Sequence, residues 1–491
     1  PEQTPGSASP HAELLERLAA VVAGSPLEKV RWSDICASVV PEKGEAGVWR
    51  IVELLKTPRI SRLFTDEVYP SNRHDYNGFV LDTTDDIPVA DNHRRYSEPK
   101  AKEIHRRVTK LLEQDKIEPS NSPWASAVVL APKPDGSWRF AMDMRAINKK
   151  TIGISYSLPR IDDTLARLHG MTWVTTLDLT GAFHLLPIQQ EADRQKTAFA
   201  TPSGLFQWKV LPMGLKNASA IFSQFMDTVL GSLKHECVLP YLDDAAVVSR
   251  GSFDDHLSDV ARVLHRFADW GLQLNVAKCT FFAKEVKFLG HIISPEGMKM
   301  DPKRVEAVAK MASPTSTREV RTFLGMAGYY RKFIKNFSRR ASPLHELLRE
   351  AGNTPFSARY GTSQQTAFED LRTCMATGPI LGHPDWQQPF EIHCDASKLG
   401  LGATLVQRDA DGRERVIEYA GRALREHELN YTQHKLEALA LFWSIQTFRP
   451  FVEMTHFVVY TDNAAITNCK FMAQKIIGRC WELVGNTAEL R

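Results

Sequence analysis

The stretch Tyr241-Leu242-Asp243-Asp244 constrains the fold of this chain more than any other feature. One apolar run, Cys237 to Pro240, precedes it, and a second, Ala245 to Val248, follows it. Two short apolar segments joined by turn residues are typical of a β-hairpin. Asp-Asp is also common in turns of many folded proteins, so the pair alone does not identify a catalytic site. A third carboxylate on a neighbouring strand would complete a set of hard oxygen ligands suited to Mg²⁺.

Asp178 is the candidate for that third carboxylate. It ends the strand-like stretch Trp173 to Leu177 and lies 65 residues before Asp243. If the two strands are neighbours, the carboxylates converge and can bridge two Mg²⁺ ions about 4 Å apart. Such a pair of ions can activate a primer hydroxyl and stabilise charge on a transferred phosphoryl group.

Cations and a bulky ring accompany these acids in the sequence. Residues 127–130 and 138–142 predict a hairpin that carries Lys133 and Arg139, which would neutralise an incoming triphosphate. Phe183, five residues beyond Asp178, is large enough to exclude a ribose 2′-hydroxyl. Lys278 could protonate the leaving pyrophosphate if it lies within hydrogen-bond reach.

Composition and charge exclude several classes of protein. With 43% apolar and 24% charged residues the chain is typical of folded, soluble proteins. No apolar run reaches the roughly 18 residues that a membrane span requires, so no membrane is expected as a partner. The seven cysteines are scattered without a Cys-x-x-Cys pair, which indicates reduced thiols in an intracellular compartment. Leu81-Asp82-Thr83-Thr84 lacks the Asp-Thr/Ser-Gly of an aspartic protease.

A basic segment stands out although the whole chain carries only +3. Residues 302–340 contain ten Lys or Arg against Glu306 and Glu319, a net charge of +8, which leaves −5 for the remainder. Such a stripe suits a phosphate backbone, although charge runs are more often solvated helix faces. Within it, Val320, Phe323, Leu324 and Ala327 predict one apolar face of a helix.

The order of the motifs resembles that of the reverse transcriptase of a gypsy-type LTR retrotransposon (Metaviridae), a relative of retroviral polymerases. The resemblance spans roughly residues 93–475 and rests on segments that occur in the family's order: 122–126 (SPWAS), 133–140 (KPDGSWRF), 211–218 (LPMGLKNA), 241–244 (YLDD), 288–291 (FLGH) and 323–333 (FLGMAGYYRKF).

The resemblance implies an α+β fold: a right-hand polymerase with fingers, palm and thumb, followed by a truncated ribonuclease H-like α/β domain. The implied division is an N-terminal extension of unknown role (1–91), fingers and palm (92–302), thumb and connecting region (303–382) and the ribonuclease H-like domain (383–491).

The resemblance also implies roles for individual residues. Asp178, Asp243 and Asp244 match the catalytic, metal-binding acids of the palm. Asp243 is preferred over Asp244 as a direct ligand, because adjacent residues on an extended strand point to opposite faces. The remaining matches are Lys133 and Arg139 for nucleotide phosphates, Phe183 for sugar discrimination, Met213 beside the nucleotide pocket, Phe288, Leu289, Gly290 and His291 for the primer end, and Gly325 and Tyr329 for the minor groove.

Two positions depart from the family pattern. Relatives commonly have Tyr where this chain has Phe183, and a Phe ring should still block the ribose. Phe or Gln is more usual at the position of Met213, which leaves its effect on fidelity open. Neither departure removes a group that the chemistry requires.

The last part of the chain resembles a ribonuclease H domain. Asp395, Glu437 and Asp462 match three of its metal-binding carboxylates, in strand, helix, strand order. Family domains continue to a further Asp in an Ala-Asp-Ala-Leu-Ser-Arg-like segment, and the sequence stops at Arg491 before such a segment. Weak or absent RNA cleavage is therefore the expectation.

The sequence thus predicts an RNA- and DNA-templated DNA polymerase that uses two Mg²⁺ ions, with Mg²⁺ or Mn²⁺ at a functional ribonuclease H site. Its expected partners are deoxynucleoside triphosphates, primer-template and RNA/DNA hybrid, and a homodimer is left open. The expected location is the cytoplasm, within virus-like particles, with nuclear entry open. A domesticated, non-catalytic nucleic-acid-binding protein is the alternative, and a nuclease-centred protein is a weaker third reading.

Overall fold

The computed structural model describes residues 11–65, 79–91, 94–132, 136–349, 355–461 and 488–490. Two compact units divide the chain. The first comprises residues 1–164 and 171–284, and the second comprises residues 165–170 and 285–491. The predicted four-part division uses other boundaries and stays a prediction.

The elements up to residue 284 are mixed in type. The helices are α1 (Ala12–Val22), α2 (Trp32–Lys56), α3 (Pro58–Ser61), α4 (Glu98–Glu113), α5 (Arg145–Lys150), α6 (Ile161–Ala166), α7 (Glu191–Lys196), α8 (Ala218–Leu230), α9 (Leu233–Glu236) and α10 (Phe253–Asp269). The strands are β1 (Ile117–Pro119), β2 (Ser126–Pro132), β3 (Trp138–Met142), β4 (Trp173–Asp178), β5 (Phe199–Thr201), β6 (Gly204–Trp208), β7 (Val238–Tyr241), β8 (Asp244–Ser249) and β9 (Thr280–Ala283).

The second unit continues the mixture. Its helices are α11 (Pro302–Ala309), α12 (Thr317–Tyr329), α13 (Phe337–Arg349), α14 (Phe356–Arg359), α15 (Thr362–Ala376), α16 (Gln433–Thr447) and α17 (Arg449–Val452). Its strands are β10 (Val286–Phe288), β11 (His291–Ser294), β12 (Gly297–Met300), β13 (Phe390–Ser397), β14 (Gly400–Arg408), β15 (Glu414–Arg422), β16 (Phe457–Tyr460) and β17 (Ala488–Leu490).

Two sheets organise the first unit. One has the strand order β7-β8-β4-β9, and the other has the order β1-β6-β5-β2-β3. The apolar face of α8, with Phe222, Phe225 and Met226, belongs to one continuous core together with Val260 and Phe267 of α10. This packing explains why the periodic apolar residues of these helices are buried rather than part of a binding surface.

The N-terminal helices are part of the same core. Leu18 of α1, Val39 and Ile51 of α2, and Leu63 are buried in the cluster that contains Trp173 of β4. The sequence predicted no role for this segment. Their burial makes residues 11–64 an integral part of the first unit rather than a separate appendage.

The second unit contains a small hairpin sheet, a group of helices and a larger sheet. The small sheet has the order β10-β11-β12, and the larger one has the order β15-β14-β13-β16-β17 with β13 and β16 parallel. The helix α16 packs on β13 and buries Leu436, Ala440 and Leu441. A parallel pair linked through a helix is the expected arrangement for a strand, helix, strand crossover.

Most elements agree with the sequence expectations, and the α+β class is confirmed. The hairpin β2–β3, the strands β4, β13 and β16 and the helices α12 and α16 all lie where the sequence predicts them. One side chain departs from the role that its position favours. Asn217 occupies the N-cap position of α8, but its side chain does not cap the helix. It accepts a hydrogen bond from the Ile154 amide and donates one to the Ile152 carbonyl instead.

No described helix combines the length and apolar character required to traverse a lipid bilayer.

His256 makes the stability of the first unit pH-dependent. Its buried imidazole lies within 2.8 Å of the hydroxyls of Thr175 and Ser249, and burial, followed by the charge of Lys284, lowers its pKa to about 3. In the unfolded chain the pKa of His256 has its ordinary value of about 6.5. The stabilisation is therefore complete above that pH and declines as the pH falls towards 3. The expected loss is about 1.4 kcal/mol per pH unit within that window.

Thermal unfolding between pH 4 and pH 8 measures this loss. His256→Gln should flatten the pH dependence, whereas the same change at the exposed His235 should leave it as in the parent. Equal slopes for the parent and His256→Gln would contradict the assignment.

Candidate active site

The two predicted acidic strands are direct neighbours. β4 and β8 pair antiparallel, with Asp178 opposite Asp244 in the register, and the Leu179 amide donates to the Asp243 carbonyl at 3.0 Å. Directly opposed residues of an antiparallel pair point to the same face of the sheet. The register therefore gathers all three acids at one end of the sheet.

The turn of the hairpin is tighter than the sequence suggested. Tyr241 pairs with Asp244, so the turn consists of Leu242 and Asp243, and Asp244 is the first residue of β8. Leu242 has a φ of 53°. A two-residue hairpin with positive φ at its first central position has the form of a type II′ turn, which usually uses Gly there. The hairpin holds a branched side chain in this sparsely populated region, beside two candidate ligands.

Mutual repulsion and burial set the electrostatics of these acids. Burial, followed by the negative charges of Asp243 and Asp178, raises the pKa of Asp244 to about 6. Concentrated carboxylate charge on hard oxygen donors fits a divalent cation such as Mg²⁺. In the described parts of the chain, however, no three His, Cys, Asp or Glu side chains are arranged closely enough to hold a metal ion. The donor chemistry fits, while the side chains are not already gathered around one point.

A neighbouring segment holds Asp178 from several directions. The Lys278 ammonium lies 3.3 Å from Asp178 Oδ2, and the Asn275 amide donates to the Asp178 carbonyl at 2.9 Å. The Asp178 amide donates to Cys279 Sγ at 3.4 Å. Lys278 therefore forms an ion pair with one of the acids, and its role as a proton donor stays a prediction.

The structure describes some, but not all, of the residues predicted to contact the nucleotide. Lys133 lies outside the described residues, whereas Arg139 is exposed on β3. The half-buried Phe183 follows β4, and its ring centroid lies 5.1 Å from that of Phe222. Met213 is 52% exposed. Their roles stay predictions.

The segment Phe288-Leu289-Gly290-His291 forms a second tight hairpin, in the second unit. Phe288 pairs with His291, and the two turn residues have φ values of 47° for Leu289 and 75° for Gly290. Positive φ at both central positions defines a type I′ turn, whose twist matches that of its strands. The sequence motif therefore encodes a turn of defined geometry.

Aromatic side chains fix this hairpin. The Tyr329 hydroxyl donates to the Leu289 carbonyl, and the Tyr330 hydroxyl donates to the Gly290 carbonyl, each at 2.7 Å. The buried His291 ring is stacked on Tyr329, with centroids 5.5 Å apart. Tyr329 was predicted to contact a minor groove, and the structure gives it a second task as a support for the turn.

The outer face of α12 is open near the predicted groove-tracking residues. Gly325 and Tyr329 are one helical turn apart and exposed, and a Cβ at Gly325 would have no atom within 4 Å. The opposite face, with Val320 and Phe323, is buried. A small residue on an exposed helix face permits close approach of another molecule.

Gly290 can be tested by adding one methyl group. A Cβ there would lie 2.8 Å from the Tyr329 hydroxyl, in addition to the strain of a φ of 75°. Gly412 provides a matched control in the same unit, since its φ is 77° and nothing lies within 4 Å. Both changes to Ala should cost about 1 kcal/mol of backbone strain.

Gly290→Ala should cost more than Gly412→Ala and should speed hydrogen exchange of the β10 and β11 amides. Urea unfolding and exchange of residues 286–294 measure the two effects. Equal costs and unchanged exchange would show that the Tyr329 contact does not hold the turn.

The predicted ribonuclease H acids are placed only in part. Asp395 is exposed on β13, and the buried Glu437 lies on α16, the helix packed on that strand. The Gln433 amide bridges the two elements by donating to Glu437 Oε1 and to the Ala396 carbonyl. Asp462 lies outside the described residues. The structure thus brings two of the three acids onto packed elements.

Sequence reasoning missed residues whose contribution is purely geometric. Tyr330 follows Tyr329 directly, and a pair of tyrosines at the end of an amphipathic helix is a signal that could have been noticed. Gln273 and Asn275 act through main-chain hydrogen bonds to Thr180 and Asp178, and no side-chain pattern reveals such contacts.

The first unit contains a sheet with acids at a tight hairpin and a second sheet with an exposed cation. The second unit contains helices and a supporting hairpin. Elements of these kinds are those of the right-hand polymerase fold. Family models agree with this class. Residues 131–293 match the model described as "Reverse transcriptase (RNA-dependent DNA polymerase)", and residues 360–459 match the "RNase H-like domain found in reverse transcriptase". The chain belongs to the reverse transcriptase–ribonuclease H family of gypsy-type LTR retrotransposons.

Curated relatives support this membership. The chain is 36% identical over 389 residues to the Pol polyprotein from transposon 297 of Drosophila melanogaster, which covers 78% of this chain and 36% of the relative. It is 33% identical to the Drosophila gypsy Pol polyprotein, over 74% of this chain and 36% of the relative. The Tf2-3 polyprotein of Schizosaccharomyces pombe is 32% identical, over 79% and 29%. The chain thus spans about a third of the length of these relatives.

Solved structures with a similar fold include foamy viral protease-reverse transcriptases. The complex with an RNA/DNA hybrid matches with a TM-score of 0.76 and 20% identity, over 91% of this chain and 60% of that one. The complex with double-stranded DNA matches with a TM-score of 0.76 and 21% identity, over 91% of this chain and 93% of that one. At these identities the likeness concerns the fold.

Proposed function

We propose that this chain is an RNA- and DNA-templated DNA polymerase that extends a primer 3′-hydroxyl by nucleotidyl transfer. The observation that carries the proposal is the pairing of β4 with β8, which sets Asp178 opposite Asp244 and beside the turn residue Asp243. A protein that only binds nucleic acid has no need for three carboxylates at one edge, because the burial and neighbouring charges that raise the pKa of Asp244 cost stability unless a cation offsets them.

The three acids would hold two Mg²⁺ ions. When bound, the ions supply Lewis acidity for the attacking hydroxyl and neutralise charge on the phosphoryl group. The chain's own groups do the rest. Lys133 and Arg139 bind the triphosphate, Phe183 excludes the ribose 2′-hydroxyl, and Lys278 donates a proton to the leaving pyrophosphate.

The proposed substrates are deoxynucleoside triphosphates and a primer annealed to RNA or DNA. Two foamy viral proteins of the same fold were solved with an RNA/DNA hybrid and with double-stranded DNA. The basic segment 302–340, whose helix α12 has an exposed face around Gly325, supports binding of a phosphate backbone in this chain. A homodimer and a location within cytoplasmic virus-like particles belong to the same proposal.

Metal-dependent cleavage of hybrid RNA by Asp395, Glu437 and Asp462, with Mg²⁺ or Mn²⁺, is a separate activity. Its acids lie on other elements than the polymerase acids do, so this activity requires its own assay. An assay with an RNA-labelled hybrid distinguishes it from primer extension.

Primer extension with Mg²⁺ on matched RNA and DNA templates tests the polymerase proposal. The expected result is full-length product on both templates and none in the presence of EDTA. Hybrid binding is measured in parallel by fluorescence anisotropy. Tight binding without any extension would overturn the proposal in favour of a non-catalytic binding protein.

A further inference from the structure

We propose that the N-terminal segment of residues 11–64 positions the polymerase acid Asp178, with Arg31 as the positioning residue that makes the connection. This inference rests on the proposed function, since it assigns a role in that same site to a part of the chain that supplies none of the three polymerase acids. It concerns the first unit alone.

Residues 271–279 hold Asp178 in place. The Thr180 amide donates to the Gln273 carbonyl at 2.8 Å, and the Asn275 amide donates to the Asp178 carbonyl at 2.9 Å. Cys279 Sγ accepts from the Asp178 amide, and the Lys278 ammonium pairs with the Asp178 carboxylate. The backbone and the side chain of Asp178 are therefore both set by this one segment.

The N-terminal segment in turn holds residues 271–280 in place. The Leu274 amide donates to the Leu63 carbonyl at 2.7 Å. The Arg31 guanidinium donates to the Cys279 carbonyl at 3.4 Å and to the Thr280 hydroxyl. One contact thus lies beside Asn275 and the other directly follows Lys278. Both ends of the segment that grips Asp178 are attached to residues 11–64.

These attachments start from residues that are themselves fixed by packing. Leu63 is 2% exposed and Phe64 is 6% exposed. The ring of Phe64 meets that of Phe281 on β9 edge to face, with centroids 6.4 Å apart. An ion pair with Asp34, at 3.3 Å, orients Arg31 itself. A fixed base is necessary for positioning, because a mobile anchor would transmit no geometry to the acid.

Arg31 suits this task because its fork of N–H donors can satisfy a carbonyl and a hydroxyl at once. Its side chain is 50% exposed, so its removal leaves no buried cavity. The consequence is that loss of Arg31 should loosen the loop around Lys278 and Asp178 more than it destabilises the fold.

The experiment compares Arg31→Ala with Arg50→Ala. Arg50 also joins the N-terminal segment to the rest of the unit, through an ion pair with Asp254, which lies outside residues 271–280. Arg31→Ala should lower kcat for nucleotide incorporation roughly threefold to tenfold, with the KM for the nucleotide and the Kd for primer-template unchanged. Arg50→Ala should leave kcat as in the parent, and Arg31→Lys should restore part of the loss.

Hydrogen exchange provides the readout that does not depend on activity. Amides of residues 273–280 should exchange faster in Arg31→Ala, with the thermal midpoint close to that of the parent. If both variants lose kcat equally, or if only the thermal midpoint falls, Arg31 is merely structural and the inference fails. If the parent makes no DNA, the proposed function fails, and the exchange rates alone then decide whether Arg31 holds the loop.

Discussion

Asp178→Asn should lower the rate of nucleotide incorporation by about three orders of magnitude or more, because it removes a charged oxygen ligand on which the chemical step depends. The change is nearly isosteric, and Asp178 is only partly buried, so the fold should be retained. Binding of primer-template should stay within about threefold of the parent, since backbone phosphates are contacted elsewhere. Single-turnover incorporation and anisotropy with the same substrate measure the two effects.

The matched control is Asp86→Asn, which removes an equal charge from an exposed position of the same unit. It should incorporate nucleotides at the rate of the parent. Comparable rates for Asp178→Asn and the parent would show that this carboxylate is not a ligand. A parallel loss in Asp86→Asn would attribute the effect to net charge.

Phe183→Val should reduce discrimination against ribonucleotides by about a hundredfold, because a shortened side chain no longer occupies the space that a 2′-hydroxyl needs. Phe183 lies in the short helical turn Ala182–Leu185, five residues beyond the β4 acid, with its ring held against Phe222. A ring supported in this way can act as a steric wall. The measurement is the ratio of kcat/KM for a deoxynucleotide to that for the matching ribonucleotide.

Leu185→Val in the same turn controls for a general loosening of the pocket, and it should leave the ratio unchanged. If Phe183→Val retains the parent's ratio, another group excludes the ribose. If both variants lose discrimination, the turn rather than the Phe183 ring is responsible.

Elements with a strong local pattern could be predicted from the sequence. Alternating or continuous apolar runs marked β4, β8 and β13, and the periodic apolar residues of α12 marked its buried face. The acids could be located because strand ends are visible in a sequence. The ordered motifs supplied the right-hand fold, which no single element implies.

Features that depend on tertiary contacts could not be predicted. The positive φ of Leu242 arises because the pairing of Tyr241 with Asp244 leaves only two turn residues. The side chain of Asn217 serves the backbone of Ile152 and Ile154, far away in sequence, rather than its own helix. The attachment of Arg31 to Cys279 joins residues 248 positions apart, and nothing local announces it.

Single-nucleotide extension of oligo(dT) on poly(rA) with Mg²⁺, comparing the parent with Asp243→Asn, decides whether the acids of the β7–β8 hairpin catalyse DNA synthesis. Asp243 is exposed in the turn, so its substitution leaves the core intact and isolates the chemistry. We expect rapid extension by the parent and an extension rate at least about a thousandfold lower in the variant, with equal binding of the hybrid. Extension by Asp243→Asn at the parent's rate, or no extension by a parent that binds the hybrid, would contradict this expectation.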